Sequence, residues 1–289
     1  MIVIGTDGGL LTEPVAYPFV TLAAGQRLDV WVDFTANEVD DTVDLVSEAF
    51  TPDNMADGLL QRLIEGRMIE PVTRRPELNE NDATLDDLRR GGERLRVMRF
   101  QVTDKVEVNE PLPERLAPDD GLPGPDDMAD PALPRIFHLR MRVMRGFTIE
   151  GGQINDPRLD AREIEEELQV NGANLDDKEV FEQGTVDMLE FHNETPFPHP
   201  IHLHGQQFAV TLRQGSDRNH DLWRGLVDVG RHDTVLVLPG ENVRIVLAFE
   251  DYPGVSMYHC QNLEHFDGGM ARYYQVKAPS KDQGSNGKA

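Results

Sequence analysis

The chain has 289 residues, 39% of them hydrophobic, and can therefore bury the core of one large domain or of two ordinary ones. The 52 acidic and 28 basic residues give a formal net charge of −24, which argues against nucleic acid and anionic membranes as partners. No apolar run approaches a membrane span, and the first residues lack the features of a signal peptide. A single cysteine excludes an internal disulfide framework, so the compartment cannot be read from bridges.

The excess of acidic residues has more than one interpretation. It is typical of adaptation to high salt, and it would also attract cationic substrates. An acidic proteome that prefers Arg to Lys would give the same composition without a specific function, and we favour that simpler interpretation. The charge therefore excludes partners better than it identifies one.

Short runs of β-branched and aromatic residues, separated by turns that contain Gly, Pro or Asn, predict strands at both ends of the chain. In the first part the predicted strands cover residues 2–4, 19–22, 28–34 and 95–102. In the second part they cover residues 135–143, 185–191, 207–212, 234–238, 242–249, 257–259 and 272–276. Apolar spacing predicts a short helix within 52–68, and acidic residues predict another at 160–168. So many short strands indicate an all-β fold built from β-sandwiches.

Composition also predicts the domain boundaries. Residues 105–134 are rich in Pro, Asp and Gly and are predicted to form a linker without regular structure. The linker separates a first domain at 1–104, with a helical and charged insertion, from a second domain at 135–278. The polar tail at 279–289 is predicted to be disordered.

The most informative segment runs from His259 to Met270 and contains Cys260, the one cysteine of the chain. His265 follows the cysteine by five positions and Met270 by ten. A thiolate, an imidazole and a thioether together suit copper better than other common metals. His199, in the segment 199–205, offers a second imidazole. A lone Cys or His is usually structural, but four candidate ligands on two loops at strand ends predict a blue-copper site that passes single electrons.

Segments 199–208 and 259–270 resemble the paired C-terminal copper motifs of multicopper oxidases, the family of laccases and copper-efflux oxidases. Residues 3–33 resemble the later part of the second cupredoxin domain of that family. The resemblance covers nearly the whole chain. It implies cupredoxin-like Greek-key sandwiches, one partial at 1–104 and one complete at 135–278.

The resemblance also implies a role for each candidate residue. The type 1 copper, which takes electrons from a reducing substrate, would be held by His199, Cys260, His265 and Met270. The cluster that reduces dioxygen would take His202 at its type 2 copper and His204 and His259 at its type 3 pair. The electron would enter at Cys260 and leave through His259, so these two residues are the candidate catalytic residues.

Three features depart from the family pattern. Gln261 stands where another type 3 His is expected, and an amide is a poor copper ligand beside imidazole. Phe266 stands where the family often has an acidic residue that delivers protons; Asp267 is the nearest substitute. Outside the two motifs the chain has no His-x-His pair of the kind that completes the cluster. We therefore expect an incomplete trinuclear cluster. His138, His192 and His232 are expected to be structural, although His232 lies near a strand start that could approach the type 1 site.

Three functions remain open at this point. The first is a multicopper-oxidase type of copper oxidoreductase that oxidises phenols, aromatic amines or metal ions. The second is a non-enzymatic electron carrier or copper-binding module that keeps only the type 1 site, and the third is a copper-free scaffold. A partial sandwich leaves unpaired strand edges, so we expect a homo-oligomer or a completing polypeptide. Members of the family are commonly exported, and this chain shows no signal peptide.

Overall fold

The computed structural model describes residues 1–48, 94–105, 111–118, 121–127, 134–142, 146–149, 179–195, 197–215, 220–267 and 269–279. The strands are β1 (Ile2–Thr6), β2 (Gly9–Ala16), β3 (Asp29–Trp31), β4 (Thr42–Ser47), β5 (Leu95–Gln101), β6 (Arg135–Arg142), β7 (Gly146–Ile149), β8 (Val180–Glu182), β9 (Val186–Asn193), β10 (His199–Leu203), β11 (Phe208–Gln214), β12 (Thr234–Val237), β13 (Asn242–Ala248), β14 (Gly254–Cys260) and β15 (Ala271–Lys277). The described helices are α1 (His220–Trp223), α2 (Leu263–Asp267) and a 3₁₀ turn (Pro125–Asp127). No helix in the described ranges is long and apolar enough to span a membrane.

Two five-stranded sheets form the sandwich that carries the site. One has the strand order β12-β10-β14-β15-β8 and the other β11-β13-β9-β6-β7. Their inner faces share one hydrophobic core, to which β13 contributes Val243, Ile245 and Leu247 at alternate positions. Alternation of buried and less buried residues is what a strand with one face on a core requires. The all-β, cupredoxin-like prediction is thereby confirmed for this part of the chain.

The N-terminal residues pack against the second half of the sequence. Gly9, with a φ of 116°, allows the tight turn between β1 and β2, and β3 pairs on the other side of β1. Val3 and Leu11 are buried together with Val227. The backbone N–H of Gly8 donates to the Arg231 carbonyl at 2.9 Å. The hairpin therefore shares a second, smaller hydrophobic cluster with the C-terminal half of the sequence.

The chain divides into two compact units, one made of residues 1–30 and 115–289 and the other of residues 31–114. This division groups residues 1–30 with the C-terminal residues, whereas the domain predicted from the sequence joins them to 31–104. In the second unit, β4 and β5 form an antiparallel pair. Every residue of β5 is exposed, including Leu95 at 63% and Val97 at 59%. Apolar side chains on an uncovered strand are typical of an interaction surface.

The predicted strand at 19–22 is wrong. Those residues make single contacts with α1 and the turn after it instead of a ladder: Thr21 N–H donates to the Gly225 carbonyl at 2.7 Å, and its hydroxyl donates to the Leu222 carbonyl at 2.8 Å. Strands β2, β4, β7, β8 and β10 were not predicted from the sequence. The helices predicted within 52–68 and at 160–168 lie outside the described residues. The predicted domain boundaries stay a prediction.

Candidate metal centre

Strand β10 lies between β12 and β14, and this pairing brings the two histidine-containing segments together. Ile201 is the register partner of Cys260, and His202 is the partner of His259. Since side chains alternate along a strand, Cys260 points into the core and His259 to the opposite face. The candidate ligands were expected on loops, but His199 and Cys260 lie in strands and His265 in α2.

The core side of this sheet carries the first cluster. The Cys260 Sγ lies 3.7 Å from His199 Nδ1 and 3.4 Å from His265 Nδ1, and the two Nδ1 atoms are 3.0 Å apart. His199 and Cys260 are fully buried, and His265 is 8% exposed. Two ligand atoms at about 2.0–2.3 Å from one ion are never more than about 4.6 Å apart. All three separations satisfy that limit, so the cluster fits one metal ion with a sulfur and two nitrogen ligands.

The short helix α2 folds His265 and Met270 back onto the cysteine. Asn262 begins the turn, since its carbonyl accepts the N–H of His265 at 3.1 Å and of Phe266 at 2.9 Å. After the turn, the Met270 N–H donates to the His265 carbonyl, and the Met270 carbonyl accepts the Cys260 N–H at 3.0 Å. Met270 is fully buried in the same core cluster as Cys260. The ten positions that separate Cys260 from Met270 thus form one closed turn, whose two ends are joined by a backbone hydrogen bond.

Burial keeps the first cluster neutral when no metal is bound. It raises the pKa of the Cys260 thiol to about 12 and lowers the pKa of His265 to about 4. The pKa of His199 is also lowered well below its usual value, by burial and then by the neighbouring His265. A buried thiol with a raised pKa is a poor nucleophile, so covalent catalysis by a Cys–His pair is not supported. A metal ion would displace the thiol proton, as metals do at thiolate sites.

Thr195 and Asn193, which the sequence analysis did not single out, orient His199. The His199 Nε2 lies 2.5 Å from the Thr195 hydroxyl oxygen. That hydroxyl donates to the Asn193 side-chain carbonyl at 2.8 Å, so it accepts the proton on Nε2. The Asn193 amide donates in turn to the Phe197 and Val237 carbonyls. The network leaves the lone pair of His199 on Nδ1, the atom that faces Cys260. No sequence signal marks a threonine for this task.

Replacing Thr195 with Val keeps the side-chain shape and removes the hydroxyl. We expect copper affinity to fall by about 10- to 100-fold, the usual cost of losing the outer partner of a ligating histidine. The free energy of unfolding of the metal-free protein should fall by about 1–3 kcal/mol, because buried polar groups lose their partners. Copper titration against a competing chelator and urea unfolding measure the two effects. Thr195→Ser should restore both, and Thr211→Val, at an exposed hydroxyl on β11, should change neither. Unaltered affinity in Thr195→Val would contradict the assignment.

The opposite face of the sheet carries a second cluster, made of His202, His204 and His259. One nitrogen of each ring lies within 4.8 Å of the corresponding nitrogens of the other two. The Nε2 atoms of His204 and His259 are 3.0 Å apart. Burial lowers the pKa of His204 and of His259, and the neighbouring histidines lower it further. Neutral imidazoles with converging nitrogens are suited to bind a metal.

Of the three residues that depart from the family pattern or stand in for it, Phe266 contacts the second cluster. The Gln261 N–H donates to the Pro200 carbonyl at 2.8 Å. Its side chain lies so close to Gly25, at a φ of 81°, that a Cβ there would be 2.9 Å from the amide carbon. The Phe266 ring meets the His259 ring edge-on, with centroids 5.0 Å apart. Asp267, at the end of α2, is exposed.

His138, His192 and His232 lie outside both clusters. The His232 Nε2 donates to the Val229 carbonyl at 3.0 Å, and its ring is buried. His138 and His192, partners in the β6–β9 ladder, pair instead with Glu194 and Glu190. These contacts agree with the structural roles expected for the three residues.

A buried sulfur and two imidazole nitrogens, held by one sheet of a two-sheet sandwich and by the short helix that follows it, define a copper protein of the cupredoxin type. The family model for multicopper oxidases matches residues 130–280, and the chain belongs to that family. The family implies copper as the cofactor, and the cluster of His199, Cys260 and His265 fits a type 1 site.

Individual relatives agree with this family. A laccase from Haloferax volcanii is 32% identical over 188 residues, which cover 63% of this chain and 30% of the laccase. A laccase from Bacillus subtilis is 27% identical over 96% of this chain and 46% of the laccase. The crystal structure of the multicopper oxidase McoA from Aquifex aeolicus has a TM-score of 0.63 and 27% identity, over 96% of this chain and 49% of that chain. The chain thus spans less than half the length of each.

Proposed function

We propose that this chain is a copper oxidoreductase whose type 1 copper, held by His199, Cys260, His265 and Met270, accepts single electrons from a reducing substrate. The observation that carries the proposal is the convergence of one sulfur and two nitrogens, 3.0–3.7 Å apart, in a buried position. Copper held there would change between two oxidation states and so take up one electron at a time.

The residues around the cluster support this use of it. The fully buried Cys260 and His199 keep bulk water away from the ligand atoms. The Thr195–Asn193 network fixes one imidazole, and the Asn262 amide, 3.3 Å from His265 Nδ1, lies beside the other. Hydrogen-bonded imidazoles are held in one orientation, so they keep their positions when a bound copper gains or loses an electron.

We further propose Cys260 and His259 as the residues that pass the electron onward. They are neighbours in β14 but point to opposite faces of the sheet, so the peptide bond between them joins the two clusters. The His259 Nδ1–H donates to the Cys260 carbonyl at 3.0 Å, which adds a second, hydrogen-bonded connection. His202, His204 and His259 are the proposed metal ligands at the far end of this path.

The proposed electron donors are phenols, aromatic amines or metal ions, in keeping with relatives that are named laccases and multicopper oxidases. The direction of the Gln261 side chain towards Gly25 supports an oxygen-reducing cluster that is incomplete in this chain. Association as a homo-oligomer, or with a completing polypeptide, stays a prediction, and the exposed apolar side chains of β5 support it.

Copper loading followed by an absorption spectrum tests the proposal. We expect the protein to develop intense visible absorption, which a phenol or aromatic amine then bleaches under nitrogen. Oxygen uptake is measured in the same sample. Bleaching without oxygen uptake would assign electron transfer without oxygen reduction to this chain, and the incomplete cluster predicts this result. A protein that stays colourless after loading would overturn the proposal and leave a scaffold role.

A further inference from the structure

The Asn262 side chain links the two segments that carry the ligands of the first cluster. Its amide nitrogen donates to the Pro198 carbonyl at 3.1 Å, across 64 positions of sequence, and Pro198 directly precedes His199. The same nitrogen lies 3.3 Å from His265 Nδ1, the ring nitrogen that faces Cys260. One amide group thus contacts both the chain in front of one imidazole ligand and the other imidazole itself.

The backbone of Asn262 contacts the sulfur ligand. Its N–H donates to the sulfur of Cys260, two residues earlier in the chain. Burial raises the pKa of this thiol to about 12, and the hydrogen bond from Asn262 opposes that increase because it stabilises a negative sulfur. The turn keeps the residue in place, since the Asn262 carbonyl accepts the N–H groups of His265 and Phe266.

Capping of α2 does not account for the contact between Asn262 and Pro198. An asparagine at the start of a helix caps it by accepting a backbone N–H of the first turn with its side-chain oxygen. The contact with Pro198 uses the amide nitrogen as a donor, on a carbonyl of the other ligand-bearing segment. Because it joins the two segments, this contact also fixes the position from which the Asn262 N–H reaches the sulfur.

A hydrogen bond to the sulfur has a defined effect on a bound copper. It draws electron density from the thiolate, so the thiolate donates less charge to the metal. Cu(II) depends on that donation more than Cu(I) does, and the oxidised state is therefore destabilised relative to the reduced state. Hydrogen bonds around the cysteine sulfur are among the features that set the reduction potential of blue-copper centres.

We propose that Asn262 is a positioning residue that raises the reduction potential of copper bound by Cys260, because its side chain holds its own backbone N–H on the sulfur. A higher potential lets the centre oxidise weaker electron donors. The inference rests on the proposed type 1 centre, and it adds the residue that sets how strong an oxidant that centre is.

Reduction potentials of copper-loaded variants test the proposal. The visible absorption of the whole chain is titrated under nitrogen against mediators of known potential. Asn262→Leu has a similar volume but no amide donor, and loss of a neutral hydrogen bond changes an equilibrium constant by about three- to tenfold. We expect the preference for Cu(I) over Cu(II) to fall by that factor, which lowers the potential by about 30–60 mV. The absorption should also move to longer wavelength, because a thiolate without its hydrogen bond gives up an electron more easily.

Three further variants separate positioning from helix capping and from general effects of substitution. Asn262→Asp keeps the shape but replaces the donor with a carboxylate, and it should lower the potential further than Asn262→Leu because a negative charge favours Cu(II). Asn262→Ser keeps a residue favoured at a helix start, but its side chain ends one atom earlier, and it should resemble Asn262→Leu. Asn37→Leu, in the other compact unit, should leave the potential unchanged.

Each outcome has a distinct meaning. Wild-type potentials in Asn262→Leu and Asn262→Asp would overturn the proposal and leave the type 1 centre standing. A wild-type potential in Asn262→Ser alone would assign the effect to helix capping and would also overturn the proposal. A wild-type protein that stays colourless after copper loading would contradict the type 1 centre, and this inference with it. If urea unfolding shows that Asn262→Leu does not fold, the Asp and Ser variants supply the same comparison.

Discussion

Replacing Cys260 with Ser is expected to abolish the visible absorption of the copper-loaded protein. The hydroxyl of serine does not ionise in the accessible pH range, so no thiolate remains to donate charge to copper. Removing only the hydrogen-bond partner of a metal ligand typically lowers metal affinity or activity by about 10- to 100-fold. Removing the ligand itself should therefore lower the rate of donor oxidation by more than about 100-fold. Absorption spectra and the initial rate of donor bleaching measure the two effects.

Met257→Leu is the matched control for this substitution. It removes sulfur from the same strand, three residues earlier, and alternation along β14 places its side chain on the face opposite to Cys260. Colour and rate should both persist. Retained colour in Cys260→Ser, or equal losses in the two variants, would show that the absorbing sulfur is not that of Cys260.

Replacing Arg272 with Met is expected to cause the largest loss of stability. Arg272 is 3% exposed and forms a two-pronged ion pair with the fully buried Glu179, which also accepts from the Tyr258 hydroxyl at 2.6 Å. Without the guanidinium, a buried carboxylate loses its charged partner. Breaking a buried pair in this way typically costs about 3–5 kcal/mol. Urea unfolding of the metal-free protein measures the change in the free energy of unfolding.

Arg272 also lies beside a candidate copper ligand. Tyr258 and Arg272 are register partners across β14 and β15, one strand position from His259 and Ala271. The double variant Glu179→Gln with Arg272→Met removes both charges and should recover much of the loss. Arg140→Met, at a half-exposed pair with Glu194, should cost no more than about 1 kcal/mol. A similar cost for Arg272→Met and Arg140→Met would contradict the special role of the buried pair.

The candidate site was predictable from sequence because most of its ligands are close in the chain. One short segment contains His259, Cys260, His265 and Met270. The types and spacing of these side chains indicate copper binding without knowledge of the rest of the fold. What joins them to His199 is the β10–β14 ladder, and β10 was missed since Pro200 is an uncommon residue inside a sheet. In the structure, Pro200 contributes its carbonyl, which accepts the Gln261 N–H.

Other parts of the structure have no local signal in the sequence. Thr195 acts on His199 only because Asn193, at the end of β9, is placed to receive its proton. The apolar run at 19–22 has strand composition, but its backbone meets a turn rather than a neighbouring strand. Cys260 and His259 point to opposite faces because side chains alternate along a strand. This orientation can be predicted only after both residues have been assigned to the same strand. Composition thus predicts which residues are suited to a strand, and long-range packing decides which of them find a partner.

The buried Asp7 and its neighbours have a consequence for how the chain is made. The Thr6 hydroxyl donates to the Arg231 carbonyl across 225 positions of sequence, and Asp7 accepts from the N–H groups of Asp233 and Thr234. During synthesis, β1 and β2 leave the ribosome long before those partners exist. Val3 and Leu11 cannot make their native contact with Val227 until that residue has been synthesised, and contacts over such distances form slowly. Residues of this hairpin therefore reach their native environment only after residues 231–234 have been synthesised, long after the hairpin itself.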